Sequence, residues 1–443
     1  MVDITFRDRA TTLLSNLEEG REVRTYLKAF SRAEGGCFAV IKVGGALVND
    51  ACEALGRHLA LLQALELKPI VVYGAGPQLD KRLSALGVGT ERRDGLRVTP
   101  PEAVSVVAQE AAATGMAIAN AISAAGGHAM LAPTSTVLAK ALDEEKYGRV
   151  GEAKGVHTSG LQQLLDNDAV PLIGCVAQDE AGLLYNVNAD AIAREVARAL
   201  QPPKIVFLTS TGGLLDEEGE IINSINLASD FDRLIAEDWV HSGMALKLEQ
   251  IKKLLEDLPS SSSVSMTDTD HMMKELFTHG GAGTLIRRGE KVHVSQTADA
   301  ERLTPLISEA FSRPLRADYF DTVAPEYVVH TERFRAAAIV TELDGVHCLD
   351  KFAVSGSARG EGLAKVVWRT LQERSKSLIW RSRKNNPFNS FYLNEADGFL
   401  RRGPWIILWY GEIDQGEVFA LADKLGNRPP DFTGPEILDG CVT

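Results

Sequence analysis

Several features are missing from this sequence, and each absence narrows what the chain can do. It has five cysteines in 443 residues, Cys37, Cys52, Cys175, Cys348 and Cys441, with no C-x-x-C pair. An odd, scattered set offers neither a disulfide framework nor a cysteine metal site, so a reducing compartment is expected. No run of 18 apolar residues occurs, so no transmembrane helix and no membrane role are expected. The first stretch, MVDITFRDRATTLLSNLEEG, contains acids and no apolar h-region, so it does not read as a signal peptide. A cytoplasmic location is the expectation. Basic excess is also lacking. Lys plus Arg is 47 against 60 for Asp plus Glu, a net charge of −13. That argues against a nucleic-acid partner, which needs a clustered positive surface. It leaves small anionic substrates open, because one pocket can be positive on an acidic protein. There is no repeat of fixed period, no extended low-complexity tract, and no G-x-x-x-x-G-K-[ST] loop.

What is present is an ordinary globular composition, 45% apolar and 24% charged, in a chain long enough for two to three domains. Residues 11–30 read as an amphipathic helix interrupted at Gly20. FAVIKV and PIVVYGAG are short apolar runs that end in glycines, and so read as buried strands. NDACEALGRHLALLQAL, QLDKRLSALG, NADAIAREVARAL and GMALKLEQIKKLLEDL read as helices. Strands and helices alternate up to about residue 286, which implies an α/β fold with a mostly parallel sheet covered on both faces. SSSSVS (260–265) has the composition of a linker, although a strand–helix pattern resumes after it. Beyond residue 286 the strands RFRAAAIVTE, HCLDKFAVS, SLIWRSR and PWIILWYGEI are longer and more alternating, which suits a separate, smaller α+β domain. The expected domains are 1–285 and 286–443.

In the first part, IKVGG puts Lys42 at the end of a buried strand, ahead of Gly44 and Gly45. VYGAGPQLD repeats the design with Gly74, Gly76 and Pro77. Glycines let backbone N–H groups approach a phosphate, and the next helix presents its positive end. Each loop alone is also an ordinary tight turn. Lys42 adds weight, because a lysine in an apolar strand must leave the core or find an anion. Lys247 sits at the edge of the stripe Met244, Leu248, Ile251, Leu255 and Leu258, where a lysine can also snorkel. Asp190 follows Asn188 at a helix start, where an acid suits the helix dipole on its own. Arg97, in GLRVTP, can pair with any nearby carboxylate.

Taken together, IKVGG, VYGAGP, GLRVTP, NVNAD and GMALK stand in order at the ends of successive elements. That set resembles the amino-acid kinase family, and within it the acetylglutamate kinases, over roughly residues 20–285. The resemblance implies phosphoryl transfer from ATP, with Mg2+ carried by the nucleotide and no phospho-enzyme. It implies that Lys42 and Lys247 neutralise the phosphoryl group and that Asp190 holds both lysines. It further implies that Gly44, Gly45 and Gly76 donate to phosphate oxygens, and that Arg97 and Asn186 grip acetylglutamate. The chain departs from that family in two places. Tyr73 and Ala75 stand in a loop that is often H-G-G-G, and Ser210 replaces the acid of an L-T-D. The segment MMKELFTHGGAGTLI and the N-terminal helix resemble arginine-inhibited members, which implies an arginine effector at Tyr26, Lys204, Glu275 and Gly283. Tyr26 as a packing residue and Glu275 as a solvated helix acid are the alternatives.

The second part carries ARGEGLAKVVWR, where Arg359, Gly362 and Ala364 fit [RQ]-x-x-G-x-[GA] between a strand and a helix. This resembles the pyrophosphate loop of GNAT-type acetyltransferases, which implies acetyl-CoA binding at Val354, Arg359, Gly360, Gly362, Ala364 and Lys365. In SLIWRSRKNNPFNSFY, strand period two puts Arg381 and Arg383 on one face, roughly 6–7 Å apart. Such a pair repels unless an anion sits between the two, and a dicarboxylate such as glutamate fits. Pairing with internal acids is the other reading. With DKFAVS and PWIILWYGE, the stretch resembles the acetyltransferase domain of vertebrate-like acetylglutamate synthases over roughly 286–437. That resemblance implies Tyr392 as general acid toward the CoA thiolate, and Arg313, Phe352, Arg381, Arg383 and Asn386 around L-glutamate.

The resemblances together imply an amino-acid kinase-like sheet sandwich followed by a GNAT-type domain. They imply a chain that makes N-acetylglutamate from L-glutamate and acetyl-CoA and then phosphorylates it. No resident metal is expected. The N-terminal helix implies a homo-oligomer, with a tetramer as the candidate. Two rivals stand beside this reading. In one, the kinase-like domain only senses arginine. In the other, the acetyltransferase acts on protein lysines, which the twin arginines disfavour.

Overall fold

The structure is a computed structural model, and it describes residues 36–89, 91–277, 282–358 and 362–433. Tyr26, the expected N-terminal helix, Arg359, Gly360 and Cys441 therefore lie outside the described residues. The chain divides into two compact units, Met1–Arg288 and Gly289–Thr443. No described helix is long and apolar enough to cross a membrane.

The first unit is built on an eight-stranded sheet. In chain order its strands are β1 (Ala39–Val43), β2 (Pro69–Tyr73), β3 (Ala129–Leu131), β4 (Val170–Ile173), β5 (Lys204–Leu208), β6 (Ser224–Asn226), β7 (Ser263–Thr267) and β8 (Thr284–Arg287). Their spatial order is β6-β8-β7-β5-β1-β2-β4-β3. Every pairing is parallel except β7–β8. The connecting helices include α1 (Gly45–Ala64), α2 (Gly76–Ala85), α3 (Val104–Ala124), α4 (Ala189–Leu200), α5 (Ser242–Glu256) and α6 (Met272–Phe277). The central strands are apolar throughout because both faces are covered. Ala39, Ile41 and Val43 join one core with Leu55, Leu59 and Ile118. Val40 joins the other with Ile192 and Val196 of α4. Strand alternation therefore sends Lys42 to the α4 side.

The serine-rich stretch is not a linker. Ser263–Thr267 is a fully buried strand between β5 and β8. Composition misled here because Ser263, Ser265 and Thr267 alternate with Val264 and Met266, which enter an apolar core. Beside the large sheet lies a closed four-stranded barrel of Val137–Ala141, Val150–Val156, Val176–Gln178 and Leu184–Val187.

The second unit has a seven-stranded sheet. Its strands are β9 (Val292–Ser295), β10 (Tyr327–Thr331), β11 (Ala336–Leu343), β12 (Val346–Val354), β13 (Leu378–Arg383), β14 (Gly398–Arg402) and β15 (Trp405–Tyr410). They lie in the order β9-β10-β11-β12-β13-β15-β14. Among the described strands β12–β13 pair in parallel and the rest are antiparallel. Helices α7 (Ala300–Phe311), α8 (Leu363–Arg374), α9 (Asn389–Glu395) and α10 (Gln415–Gly426) cover its faces.

Candidate active sites

In the first unit three helix N-termini meet at one cavity of about 370 Å³. β1 runs through Gly44 into α1, β2 runs through Gly74 and Ala75 into α2, and the strand Leu184–Val187 runs through Asn188 into α4. Neither α1 nor α2 has a side-chain cap, so their first N–H groups await an acceptor. The uncapped ends and the dipoles behind them favour an anion. The two loops press together at Gly45. A Cβ there would stand 2.9 Å from the Gly74 carbonyl and 3.0 Å from the Gly76 nitrogen. At Gly44 and Gly76 a Cβ would meet nothing within 4 Å, so those glycines face open space.

Lys42 lines this cavity, with Nζ 2.9 Å from Asp190 Oδ1. Asn188 caps α4 by accepting from the Asp190 amide at 2.7 Å, which fixes the carboxylate in the first turn. Arg97 and Asn186 also line it. Arg97 comes from a short hairpin, Arg92–Arg93 with Leu96–Arg97. Its guanidinium is already engaged by Asp80 on α2 and by the Gly76 carbonyl at 3.1 Å. The Arg97 hydrogen bond holds the Asp80 carboxyl below its ordinary range. The Asn186 amide donates to Thr99 Oγ1 at 3.1 Å.

One expectation needs correction. Asp190 holds Lys42 but not Lys247, which is exposed on α5 and makes no ion pair with a described residue. Helix geometry explains this. Met244, Leu248 and Ile251 turn inward, and Lys247 falls on the flank that faces solvent. Ser210 is exposed just past the end of β5.

A second polar cluster lies under α6. Lys204 and Glu275 are buried, and the Glu275 carboxylate accepts from Ala282 and Gly283 at 3.1 and 3.2 Å. Burial first, and then Arg287, lower the Lys204 pKa to about 8 against the pull of Glu275. Gly283 is obligatory, since a Cβ would stand 2.1 Å from the Met266 carbonyl. The register Lys204↔Ser263, Val206↔Ser265 and Leu208↔Thr267 puts those side chains on one face. The Ser265, Thr267 and Thr269 hydroxyls are buried without a hydrogen-bond partner among the described residues. The sequence reading missed these hydroxyls. The alternation S-V-S-M-T was their signal.

In the second unit β12 and β13 pair only at Cys348↔Ile379 and Leu349↔Trp380. Beyond that point the two strands part. β12 stays paired with β11 as far as Val354, and β13 stays paired with β15 as far as Arg383. The facing edges 350–354 and 381–383 thus form a slot whose backbone groups can bind an extended amide-bearing chain. Val354 ends β12. The slot leads toward α8, whose N-cap Gly362 has φ +78 and no side-chain cap. That left-handed conformation calls for glycine. Ala364 and the exposed Lys365 follow in the first turn.

Tyr392 is buried on α9 against Phe352, Trp368, Trp380 and Phe388, with ring centroids 5.2–6.3 Å away. Its hydroxyl makes no hydrogen bond to a described residue, and burial raises its pKa above an ordinary phenol. Asn386 donates to Ser382 Oγ and accepts from the Phe388 amide, both at 2.9 Å, which fixes the turn after β13.

Of the two readings of the arginines, the structure shows partners inside the chain. Arg381 and Arg383 both lie over the ring of Trp405, at 4.3 and 3.8 Å. Arg381 also donates to the Leu425 carbonyl at 2.7 Å and lies 3.6 Å from Asp431. Their proximity therefore needs no external anion, because aromatic faces, carbonyls and an internal acid already stabilise the charge. Arg313 lies over Phe432 at 5.6 Å. The strand reading also overlooked Lys351, which is buried between Asp350 and Asp431, at 2.7 Å from each.

By fold, the chain joins an amino-acid-kinase-like unit to an acetyltransferase-like unit. Comparison with known proteins gives the same division. Residues 38–260 match the amino acid kinase family, and residues 289–427 match the N-acetyltransferase of N-acetylglutamate synthase. The acetylglutamate kinase of Xylella fastidiosa strain Temecula1 is 44% identical over 89% of this chain and 94% of its own length. The mitochondrial N-acetylglutamate synthase of Homo sapiens is 29% identical over 90% of this chain and 73% of its own. A solved N-acetylglutamate synthase from Neisseria gonorrhoeae, complexed with coenzyme A and N-acetyl-glutamate, superposes with a TM-score of 0.63. It covers 88% of this chain and 98% of that one at 18% identity, which shows the shared fold. The chain belongs to the acetylglutamate kinase family, in the form that carries an N-acetylglutamate synthase-type acetyltransferase domain.

Proposed function

We propose that the chain catalyses two consecutive steps of arginine biosynthesis, acetylation of the L-glutamate amine by acetyl-CoA and ATP-dependent phosphorylation of N-acetylglutamate. The observation that carries the kinase half is the Lys42–Asp190 pair in a cavity bordered by three helix N-termini. A carboxylate oxygen of acetylglutamate attacks the γ-phosphorus, and ADP leaves with the bridging oxygen. Lys42 and the Gly44, Gly45 and Gly76 amides stabilise the charge on the transferring group, and Mg2+ enters with the nucleotide. Asp190 orients Lys42. Lys247 joins only if nucleotide draws it in from the surface of α5.

In the second unit the slot between β12 and β13 takes the amide-bearing arm of CoA, and the α8 N-terminus takes its diphosphate. The neutral amine of glutamate attacks the thioester carbonyl, a C–N bond forms, and the C–S bond breaks. The amine loses one proton and the thiolate gains one, so the step balances. A buried phenol whose pKa is raised stays protonated at neutral pH, which suits Tyr392 to donate toward sulfur as charge develops there. The cluster Lys204, Glu275 and Gly283, with the Ser265 and Thr267 hydroxyls that have no partner among the described residues, fits an arginine effector. There Lys204 would face the ligand's carboxylate and Glu275 its guanidinium.

The exposed position of Lys247 favours one second reading, a kinase-like unit that only senses arginine. Product analysis with glutamate, acetyl-CoA and ATP separates the two. Formation of both N-acetylglutamate and its acyl phosphate, trapped as a hydroxamate, supports two active sites. Acetylglutamate with no hydroxamate at saturating ATP supports the sensor. Lys42→Ala should abolish only the hydroxamate, and Tyr392→Phe should lower acetyl transfer about 10²-fold or more. If each variant, still folded, lost both activities, the two-site reading would fail.

A further inference from the structure

Arg381, one of the cations assigned to the glutamate site, shares with the buried Lys351 a carboxylate that belongs to the chain itself. Asp431 Oδ2 is 2.7 Å from Lys351 Nζ and 3.6 Å from Arg381 Nη2. The segment that delivers it, residues 428–433, runs as a strap across this side of the second unit. Arg428 pins its start to Asp350 at 2.7 Å, and two backbone bonds hold the rest, from the Arg316 amide to the Asp431 carbonyl and from the Thr433 amide to the Pro314 carbonyl, both at 2.9 Å. Phe432 completes the cover. Its ring lies 4.9 Å from Phe311, and Arg313 and Lys351 approach it at 5.6 and 5.7 Å.

The two acids of this cluster are not equivalent. Asp350 is 5% exposed and serves Lys351, Arg428 at 2.7 Å and the Tyr319 hydroxyl at 2.5 Å. Asp431 is 19% exposed, and among the described residues its carboxylate pairs with Lys351 and Arg381 alone. Lys351 keeps Asp350 if Asp431 departs, and Arg381 keeps the Leu425 carbonyl and the Trp405 face. Asp431 is therefore the outer, dispensable acid. An incoming carboxylate can take its place with no change in the charge of the cluster while Arg428, at the start of the strap, stays on Asp350. A neutral or cationic group in the same place would leave Lys351 with Asp350 alone and Arg381 with no carboxylate, a cost for charges that are largely buried.

We propose that the strap 428–433 is an internal occupant of the amino-acid substrate site, with Asp431 standing where a substrate carboxylate binds and yielding to it. The exchange makes Asp431 a specificity-determining residue, because only a carboxylate-bearing acceptor replaces it without leaving bare charge. It rests on the glutamate acetylation proposed above. A strap closed nine-tenths of the time would raise the apparent KM about tenfold over an open site.

The experiment is glutamate-dependent CoA release by the full chain, with saturating acetyl-CoA. Asp431→Asn keeps the shape and removes the charge, and its KM for glutamate should fall at least three-fold. Asp431→Glu restores the carboxylate and should return KM toward the wild-type value. Phe432→Ala loosens the strap without touching the acid, and should also lower KM, which keeps the test available if Asp431→Asn unfolds. A KM that is unchanged or higher in the folded Asn and Ala variants would overturn the proposal, because the strap would then be organising the cations rather than competing for them. Wild-type protein that transfers no acetyl group to glutamate would instead sink the acetylation reading, and the strap with it.

Discussion

Gly44 offers a clean test of the phosphate reading, because its replacement should damage activity without damaging the fold. Its backbone has φ −72 and ψ 145, which alanine adopts freely. A Cβ at that position meets nothing within 4 Å. Gly44→Ala should therefore leave the melting temperature unchanged, or raise it slightly, since alanine restricts the unfolded chain by about 0.4–1 kcal/mol. The methyl group would occupy the space proposed for a phosphate oxygen at the α1 N-terminus. Loss of one charge-assisted backbone hydrogen bond costs about 1.5–3 kcal/mol. That corresponds to a fall of about 10- to 10²-fold in kcat/KM for ATP. Gly45→Ala is the contrast, because its Cβ would stand 2.9 Å from the Gly74 carbonyl. Overpacking of that kind costs about 1–3 kcal/mol, so this variant should lose stability and kinase activity together. Hydroxamate formation, thermal unfolding and CoA release should be measured on both variants, with CoA release expected to be unchanged. Kinase activity in Gly44→Ala within two-fold of wild type would refute the placement of phosphate against this loop.

Further outcomes follow from the same geometry. Asp190→Asn should lower kinase kcat about 10-fold or more while the KM for ATP changes less, since the charge that orients Lys42 is lost; equal changes in both would argue for a purely structural role. The Lys204 pKa is lowered to about 8 by burial, below the usual lysine value of about 10.4. The unfolded chain therefore binds the extra proton between those values, so Lys204 should make stability rise with pH from about 8 to about 10.4. A ligand carboxylate needs the charged amine, so any effect of arginine on activity should fade as pH passes about 8. Lys204→Met, titrated in parallel, should lose that dependence. Trp405→Ala should weaken glutamate saturation by releasing Arg381 and Arg383, with little change in the KM for acetyl-CoA.

The glycine loops, Lys42, Asp190 and the alternation of strands and helices could be read from the chain, because each is a local pattern with a local physical cause. A strand that ends in glycine before a helix carries its meaning within ten residues. The errors came where the deciding partner is distant in sequence. Period two correctly put Arg381 and Arg383 on one face of β13, but the ring that receives them comes from β15 and the acid beside Arg381 comes from residue 431. Lys351 was legible by the argument used for Lys42, a lysine in an apolar strand, but its two acids could not be assigned. SSSSVS (260–265) looked like a linker because composition alone cannot show that its second half opens a strand flanked by two others.

Sequence alone determined the class of both units, since order and spacing of the motifs survive any detail of packing. Tertiary structure alone decided which charges are free. It engaged Arg97 with Asp80, left Lys247 on the surface, and gave Lys351 and Arg381 an internal carboxylate. The reason is that a charge's energy depends on the partner and the solvent it meets in three dimensions, and neither is written in its neighbours along the chain.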